Sequence, residues 1–233
     1  MLARIPLALV VALCVLAAAA RAGTVPQPEL AAPPAAGFSA CARAIAAASA
    51  AVGLPPGLLA AVATVESGRP DPRPSIFRHA YAPPGTAARR PWPWTINAGG
   101  VGRYFTSRRQ AIEAVRALQA QGVTAIDIGC LQVDLRDHPR AFASLRQAFD
   151  PEANARYAAG FLIRLHAALG TWKAAVAAYH SQTPALGLPY QRLVAARWRS
   201  LPPAMAQAAR PVYADFLPVS RKYADFATLP RSP

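Results

Sequence analysis

Several segments of this chain place apolar residues at the spacing of an α-helix and then end at a glycine, and this pattern limits the fold more than any other feature. The clearest three hold Cys41, Ile45, Ala48 and Val52 before Gly53; Ala111, Ile112, Val115 and Leu118 before Gly122; and Ala158, Leu162, Leu165 and Leu169 before Gly170. Residues spaced in this way lie on one face of a helix, and a glycine after them favours helix termination. The pattern predicts a mostly α domain, with a small β element in the extended stretch from Val123 to Ile128.

Residues that favour helix starts support this interpretation. The expected caps are Ser39, Ser107, Thr171 and Asp150, the last followed by Pro151. A second helix is expected over 57–66 after Pro55-Pro56, with a buried face of Leu58, Leu59, Val62 and Val65. A last helix is expected from Pro189 to about Arg199.

The stretch from Arg69 to Phe105 lacks helical spacing. It is rich in Pro, Gly and Arg and contains the aromatic residues Tyr81, Trp92, Trp94 and Tyr104. We therefore expect a long irregular connection, and such connections within a compact domain usually have a function.

The first 22 residues have the features of a secretory signal peptide. Arg4 precedes an apolar run from Ile5 to Ala20, and residues 20–22 have the A-x-A form that a signal peptidase cleaves. Such a signal peptide would direct export to the periplasm or the cell wall and would then be cleaved. The alternative is a membrane anchor, because the run is close to the minimum length of a span. We expect a flexible leader over 23–37, one folded domain over 38–200 and a proline-containing tail over 201–233.

Two cysteines follow the expected signal peptide, Cys41 and Cys130. An even number of cysteines in an exported protein favours a disulfide. Two reduced cysteines in the core are the alternative.

One glutamate occupies an unusual position. Of the four after the signal peptide, Glu29 falls in the leader, Glu113 on a solvated helix face and Glu152 in a first helical turn. Glu66 falls within the apolar face of the second helix, near its C-terminal end. Burial and the helix dipole both raise the pKa of a carboxyl there, so Glu66 is a candidate general acid. The alternative is a structural glutamate paired with a nearby arginine such as Arg69.

Three motifs in order resemble a known enzyme family. They are LLAAVATVESGR (58–69), DIGCLQV (127–133) and NARYAAGFLIRLHAALGTWKAAVAAYHS (154–181). Together they resemble the catalytic domain of the lytic transglycosylases of glycoside hydrolase family 23, the soluble-lytic-transglycosylase type. The resemblance covers roughly Cys41 to Arg192 and implies a lysozyme-like helical fold with a glycan-binding cleft. It also implies cleavage of the β-1,4 bond between N-acetylmuramic acid and N-acetylglucosamine in peptidoglycan, with formation of a 1,6-anhydro end.

The resemblance implies roles for individual residues. Glu66 matches the family's sole catalytic acid and base. The residues implied to bind substrate or shape its site are Ser67 after the glutamate, Gly129, Leu131 and Gln132 of a G-C-L-Q motif, and Tyr179 and His180 of an A-Y-H motif. The chain departs from the family at Cys130, where methionine is expected, and at His180, where asparagine is expected. Pairing of Cys130 with Cys41 would tie the first helix to the cleft wall.

The segment between the first two motifs offers further substrate contacts. Trp92 and Trp94 could stack on sugar rings, and Asn97 could form a polar contact. The alternative is that this segment only packs onto the body of the domain.

Three other functions stay open. Asp127 or Asp134 could supply a second carboxyl group for hydrolysis by a lysozyme-like muramidase. Cys130 with His180 as base could form a wall-peptide hydrolase, if Cys130 were a free thiol. A peptidoglycan-binding module without activity is the third alternative.

The positive charge says least about function. The chain has 25 Lys and Arg against 11 Asp and Glu, which favours polyanionic partners. Export argues against nucleic acid, whereas Arg73, Arg89 and Arg90 could contact the stem-peptide carboxylates of peptidoglycan; a solvated surface without function is the alternative. We expect a monomer without cofactor or metal, because His79, His138 and His166 lack ligand spacing. A cell-envelope secretion or division assembly is an open possibility as partner.

Overall fold

Seven helices make up most of the chain that the structure describes. The computed structural model describes residues 35–71 and 89–200. The helices are α1 (Ala35–Val52), α2 (Leu58–Ser67), α3 (Arg108–Ala120), α4 (Leu145–Ala148), α5 (Pro151–Leu169), α6 (Trp172–His180) and α7 (Pro184–Arg199). The prediction of a mostly α fold with a small β element is confirmed.

Six short strands form two antiparallel sheets in the same ranges. β1 (Gly68–Pro70) pairs with β2 (Arg89–Pro91). The strands β3 (Thr95–Ala98), β4 (Val101–Tyr104), β5 (Ile126–Ile128) and β6 (Val133–Asp134) form a sheet of order β4-β3-β5-β6. Where it is described, the stretch from Arg69 to Phe105 is thus partly β, and the prediction of an irregular connection was wrong there.

Three of the four predicted caps are confirmed. The side chains of Ser107, Asp150 and Thr171 each accept a hydrogen bond from the backbone N–H three residues on. Ser39 is not a cap, because α1 already begins at Ala35.

Two helices, α1 and α7, begin earlier than predicted. Gly37 lies against the Trp92 indole, where a Cβ would collide, and the Phe38 ring packs 4.9 Å from that indole. These contacts bury the first turns of α1. At the other end, α7 begins at Pro184 and continues through Pro189, which was expected to be its first residue.

Two hydrophobic cores stabilise the fold. The larger one joins α1, α2, α5, α6 and α7 and contains Leu58, Leu162 and Trp198. The smaller one joins α3 to the four-stranded sheet around Ile96 and Ile128. Of the residues expected to be buried, Val52 is 40% exposed and Val65 is half-buried.

The predicted disulfide between Cys41 and Cys130 is present. It connects α1 to the loop between β5 and β6 across 89 residues of sequence, and both cysteines are fully buried in the larger core.

The expected signal peptide, the leader up to residue 34, Arg73, His79, Tyr81 and the tail from residue 201 lie outside the described residues. None of the described helices has the length and apolar character needed to cross a membrane.

Candidate active site

A pocket of about 290 Å³ lies where the end of α2 meets the four-stranded sheet and helices α5 and α6. Its wall is formed by carboxyl groups, rings and amides. The lining residues are Glu66, Asn97, Asp127, Gln132, Val133, Asp134, Arg136, Asp137, His138, Tyr157, Phe161, Tyr179 and His180. A concave site with several converging polar groups is the usual form of a ligand-binding site.

Glu66 lies in the last turn of α2 and is half-buried at the wall of this pocket. Burial raises the pKa of Glu66 from its ordinary value of 4.5 to about 8; the Tyr190 hydroxyl acts against this increase, and the charge of Asp127 adds to it. The predicted rise of the pKa is confirmed. At neutral pH the Glu66 carboxyl is therefore protonated in most molecules.

The alternative role for Glu66, an ion pair with Arg69, is not found. The Arg69 guanidinium lies over the rings of Trp92 and Tyr104, at 5.3 and 5.6 Å from their centres. Among the described ion pairs, none joins Arg69 to Glu66. The fold therefore leaves the Glu66 carboxyl to the pocket.

Tyr190 of α7 is a neighbour of Glu66 that the sequence analysis missed. Its side chain is only 5% exposed, and within the described chain its hydroxyl makes no hydrogen bond of ordinary geometry. The hydroxyl nevertheless lies close enough to Glu66 to lower the pKa of that carboxyl. Tyr190 thus stabilises the carboxylate form of Glu66. No motif indicated this contact, because it depends on the packing of α7 against α2.

Asp127 on β5 supplies a second carboxyl group to the pocket. The pKa of Asp127 is raised to about 7, mainly by burial and further by the charges of Asp134 and Asp137, whereas Arg136 acts in the opposite direction. Asp134 has a structural role as well, because its Oδ1 accepts hydrogen bonds from the backbone N–H groups of Arg136 and Asp137 at 2.7 and 2.8 Å. Of the two aspartates proposed as a second acid, Asp127 therefore fits that role better.

The side-chain amide of Asn154 on α5 holds the G-C-L-Q loop, residues 129–132, in place. The Asn154 Nδ2 donates to the carbonyl of Ile128 at 3.1 Å, and its Oδ1 accepts from the backbone N–H of Leu131 at 2.9 Å. Gly129 has a φ of 82°, and a Cβ there would lie 2.5 Å from the Asn154 side chain. Gly129 therefore permits a close approach between the loop backbone and the Asn154 side chain. Asn154 opens the third motif, and only the fold shows what it holds.

Neither Ser67 nor Leu131 lines the pocket, so of the two roles that the resemblance implied, shaping the site is the one that fits their positions. Leu131 is fully buried in the larger core. Ser67 is also fully buried; its Oγ donates to the carbonyl of Cys130 at 2.7 Å and accepts from the backbone N–H of Trp92 at 3.3 Å. Ser67 therefore connects the end of α2 to the G-C-L-Q loop and to Trp92, the residue that follows β2. The disulfide leaves Cys130 without the free thiol that the peptidase alternative requires.

Gln132 lines the pocket with an unusual backbone conformation. Its φ is 46°, which few residues other than glycine adopt. The side-chain Nε2 donates to the carbonyls of Thr95 and Gly129 at 3.2 and 2.9 Å. These two bonds use both hydrogens of the side-chain amide, so the Gln132 side chain positions the loop. The side-chain oxygen Oε1 is the atom that could accept a hydrogen bond from a ligand.

Tyr179 and His180 both line the pocket at the end of α6. The Tyr179 hydroxyl donates to the carbonyl of Leu131 at 2.8 Å, so it holds the loop over residues 129–132 in place. The His180 ring is stacked on Tyr190, with ring centres 4.6 Å apart and planes 9° apart. His180 thus covers the tyrosine that adjoins Glu66.

The rings that face the pocket are not the predicted tryptophans. Trp92 is fully buried, and its Nε1 donates to the carbonyl of Phe105 at 2.7 Å; it has no face for a sugar, so that prediction was wrong. Trp94 packs partly buried against the smaller core and does not line the pocket. Tyr157 and Phe161 of α5 line it instead. Their spacing on a helix could have indicated them, but the same spacing also fits core residues.

His138 joins these rings at the rim. Its Nδ1 lies 2.9 Å from the Tyr157 hydroxyl, and its ring packs edge-on against Phe161 with centres 4.7 Å apart. Burial lowers the pKa of His138, so the imidazole is mostly neutral near pH 7; Asp137 and Asp134 oppose that shift and Arg164 adds to it.

Asn97 on β3 lines the pocket as predicted. Its Oδ1 is buried and has no hydrogen-bond partner within the described residues. A buried acceptor of this kind usually has a partner, so an N–H group of a ligand would satisfy it.

No group of three or more His, Cys, Asp or Glu side chains within 35–71 and 89–200 is arranged to hold a metal ion. Comparisons of the chain with protein-family models, with curated proteins and with solved structures found no match.

Proposed function

We propose that this chain is a lytic transglycosylase that cleaves the β-1,4 bond between N-acetylmuramic acid and N-acetylglucosamine in peptidoglycan. One observation carries the proposal: the Glu66 carboxyl, with a pKa of about 8, forms part of the wall of a polar pocket. An acid that is still protonated at neutral pH can donate a proton to a leaving glycosidic oxygen.

In the proposed reaction Glu66 acts twice. Its carboxyl donates a proton to the glycosidic oxygen as the bond from that oxygen to C1 breaks. The resulting carboxylate takes the proton of the muramoyl 6-hydroxyl while O6 forms a bond to C1. Glu66 returns to its protonated form and no water is consumed. Tyr190 would stabilise the carboxylate stage, because its hydroxyl lowers the pKa of Glu66.

Other features of the pocket support a glycan substrate. The rings of Tyr157 and Phe161 can pack against sugar faces. The Oδ1 of Asn97 can accept a hydrogen bond from the N–H of an N-acetyl group. The ordered motifs that resemble family 23 are consistent with the same reaction and with a lysozyme-like fold. We also propose that the protein is exported and acts on glycan strands as a monomer.

A second candidate function is hydrolysis by a muramidase, and Asp127 is the observation that favours it. Asp127 lines the pocket with Glu66, and its pKa of about 7 leaves part of it ionised at neutral pH. An ionised carboxylate could activate a water molecule or attack C1 directly, as in glycosidases that use two carboxyl groups.

Product analysis distinguishes the two functions. Purified mature protein is incubated with peptidoglycan sacculi, and the released muropeptides are separated and weighed by mass spectrometry. We expect 1,6-anhydro-N-acetylmuramic acid ends, which are lighter than reducing ends by one water molecule. Reducing ends would show hydrolysis, and free peptides would show a peptidase.

Three variants test the roles of the carboxyl groups. Glu66→Gln keeps the shape of the side chain and should abolish product formation. Glu113→Gln is the matched control, because Glu113 is exposed on α3 and paired with Arg109, and it should retain full activity. The Asp127→Asn variant should still form the 1,6-anhydro product. Complete loss of activity in this variant would favour the mechanism with two carboxyl groups. Activity of the Glu66→Gln variant would refute both functions.

A further inference from the structure

An arginine-rich groove lies on the face formed by α3, α4 and α5. It consists of two neighbouring depressions of about 570 and 670 Å³. Both are lined by Arg108 and Arg146, so the two depressions adjoin at these side chains. No residue lines both this groove and the pocket around Glu66. The groove therefore stands as a separate site, whatever the pocket does.

Five arginines from three helices line the groove: Arg108, Arg109, Arg116, Arg146 and Arg156. Two of them have acidic partners, since Arg109 lies 2.9 Å from Glu113 and Arg156 lies 3.6 Å from Glu152. In the described part of the chain, the other three form no ion pair.

Acidic side chains compensate little of this charge. Glu113 is the acid that lines one depression, and it is already paired; Asp150 lines the other and accepts the capping hydrogen bond of α5. Arg146 and Arg116 are exposed and Arg108 is half-buried. The groove thus presents three guanidinium groups without an ion pair in the described chain, against the single carboxylate of Asp150 that is not paired there either.

The chemistry of the lining narrows the class of partner. Guanidinium groups pair with carboxylate and phosphate groups through two parallel hydrogen bonds. The uncharged polar residues Ser107, Ser144 and Gln147 lie among the arginines. Their side-chain oxygens accept hydrogen bonds from the backbone at the starts of α3 and α4, so their O–H and N–H groups are the ones that could donate to the hydroxyl groups of a ligand.

Two other polyanions fit the lining less well. None of the described residues that line the groove is aromatic, so it lacks the stacking surface that the bases of single-stranded nucleic acids use. A glycan bound there would be held by its charges and hydroxyl groups rather than by ring stacking. The large exposed apolar side chains of the described chain, Val52, Val101, Leu186 and Leu193, all lie on other elements, and insertion into a lipid surface depends on such residues. We propose that the groove binds an anionic glycan, a linear sugar polymer that bears carboxylate or phosphate groups.

Direct binding to the whole mature protein tests this. The probes are polygalacturonate, which carries one carboxylate per sugar, and a phosphate-bearing mannan; together they distinguish the two sources of charge. Single-stranded DNA, anionic phospholipid vesicles and polyglutamate are the competing probes. We expect at least one glycan to bind, with an affinity that falls steeply between 50 and 200 mM salt, since binding by arginine releases counterions.

Matched variants locate the site. Arg108→Ala with Arg146→Ala should weaken glycan binding by about tenfold or more. Arg192→Ala with Arg199→Ala removes the same charge from exposed positions of α7 and should change the affinity by less than about threefold. If the first double variant fails to fold, Arg116→Glu with Arg146→Glu changes only exposed side chains and should weaken binding more strongly.

Three results would overturn the proposal. Equal losses in the groove variant and the α7 variant would show that net charge alone attracts the polymer. Unchanged affinity in the groove variants would place the binding site elsewhere. Binding to DNA, vesicles or polyglutamate without binding to either glycan would show a different class of partner.

Discussion

The environment of Glu66 shows how one residue can be costly for stability and useful for chemistry. The Glu66 carboxyl is half-buried and forms no ion pair among the described residues. It favours its protonated form, because burial penalises the charge more than the neutral acid. Tyr190 and Asp127 then act on Glu66 in opposite directions. The pKa of about 8 is the outcome of burial and of these two neighbours, and substitution of Tyr190 or Asp127 should change it.

Relative to the wild type, the Glu66→Gln variant should become more stable as the pH rises. The pKa of Glu66 is higher in the folded state than its ordinary value of 4.5, so the folded state binds more protons between pH 4.5 and 8. Over that range the wild type loses stability relative to the variant, by at most about 5 kcal/mol. Denaturant unfolding of both proteins at pH 4, 6 and 8 checks this. A constant difference across the three pH values would show that Glu66 titrates normally.

Tyr190→Phe should raise the pKa of Glu66 further. The variant removes the hydroxyl that favours the carboxylate, and carbon NMR of the Glu66 carboxyl measures the titration directly. Stability should change by less than about 1 kcal/mol, because the hydroxyl has no ordinary hydrogen bond to lose.

Tyr179→Phe is the matched comparison for this prediction. It removes the 2.8 Å hydrogen bond to the carbonyl of Leu131 and should cost about 1–3 kcal/mol. Equal effects of the two substitutions on stability would contradict the different roles assigned to the two hydroxyls.

At the scale of elements, the loop over residues 129–132 brings the site together. The disulfide to α1, the Ser67 hydroxyl of α2, the Asn154 amide of α5 and the Tyr179 hydroxyl of α6 all bind this loop. Four helices thereby determine where Gln132 enters the pocket. Ser67 and Tyr179, which the resemblance implied to bind substrate or shape its site, are two of the residues that hold this loop.

Gly129→Ala should destabilise the fold by about 2 kcal/mol or more. A Cβ at this position would meet the Asn154 side chain, and the φ of 82° is itself unfavourable for alanine. Gly102→Ala on β4 is the control, because no atom lies within 4 Å of a Cβ there, and it should change stability by less than about 0.5 kcal/mol. Thermal unfolding of both variants measures the difference; similar melting temperatures would show that the loop adapts to the alanine.

Sequence signals for the elements were local, and they succeeded where local chemistry decides. Ser107, Asp150 and Thr171 cap their helices because each side chain needs only the backbone three residues away. The β3–β4 hairpin was missed although its signal was present: Gly99-Gly100 lies between short alternating segments, and both glycines have positive φ. The start of α1 depends on contacts with the distant Trp92, so no local pattern could indicate it. The start of α7 had a local signal that was missed, because Pro184 occupies the first turn of the helix.

For the whole molecule, the disulfide joins α1 to the loop that carries Gln132 into the pocket. It closes a loop of 89 residues between α1 and the pocket wall. Replacement of Cys41 and Cys130 by alanine should lower the free energy of unfolding by about 2–5 kcal/mol, mainly through the entropy that the unfolded chain regains. Denaturant unfolding with and without reductant checks this, and the wild type with reductant should match the variant. Unchanged stability of the double variant would show that the two cores already hold the loop.

The sequence by itself determined the helical class, most helix caps, the disulfide partners and the singular position of Glu66. Each depends on residue spacing, on the chemistry of neighbouring residues or on the number of cysteines. Only the tertiary structure decided which groups surround Glu66, because Asp127 and Tyr190 are far from it in sequence and approach it through the sheet and α7. Burial likewise depends on every element that packs against a side chain, and for this reason Trp92, Ser67 and Leu131 support the site while Tyr157, Phe161 and His138 line it.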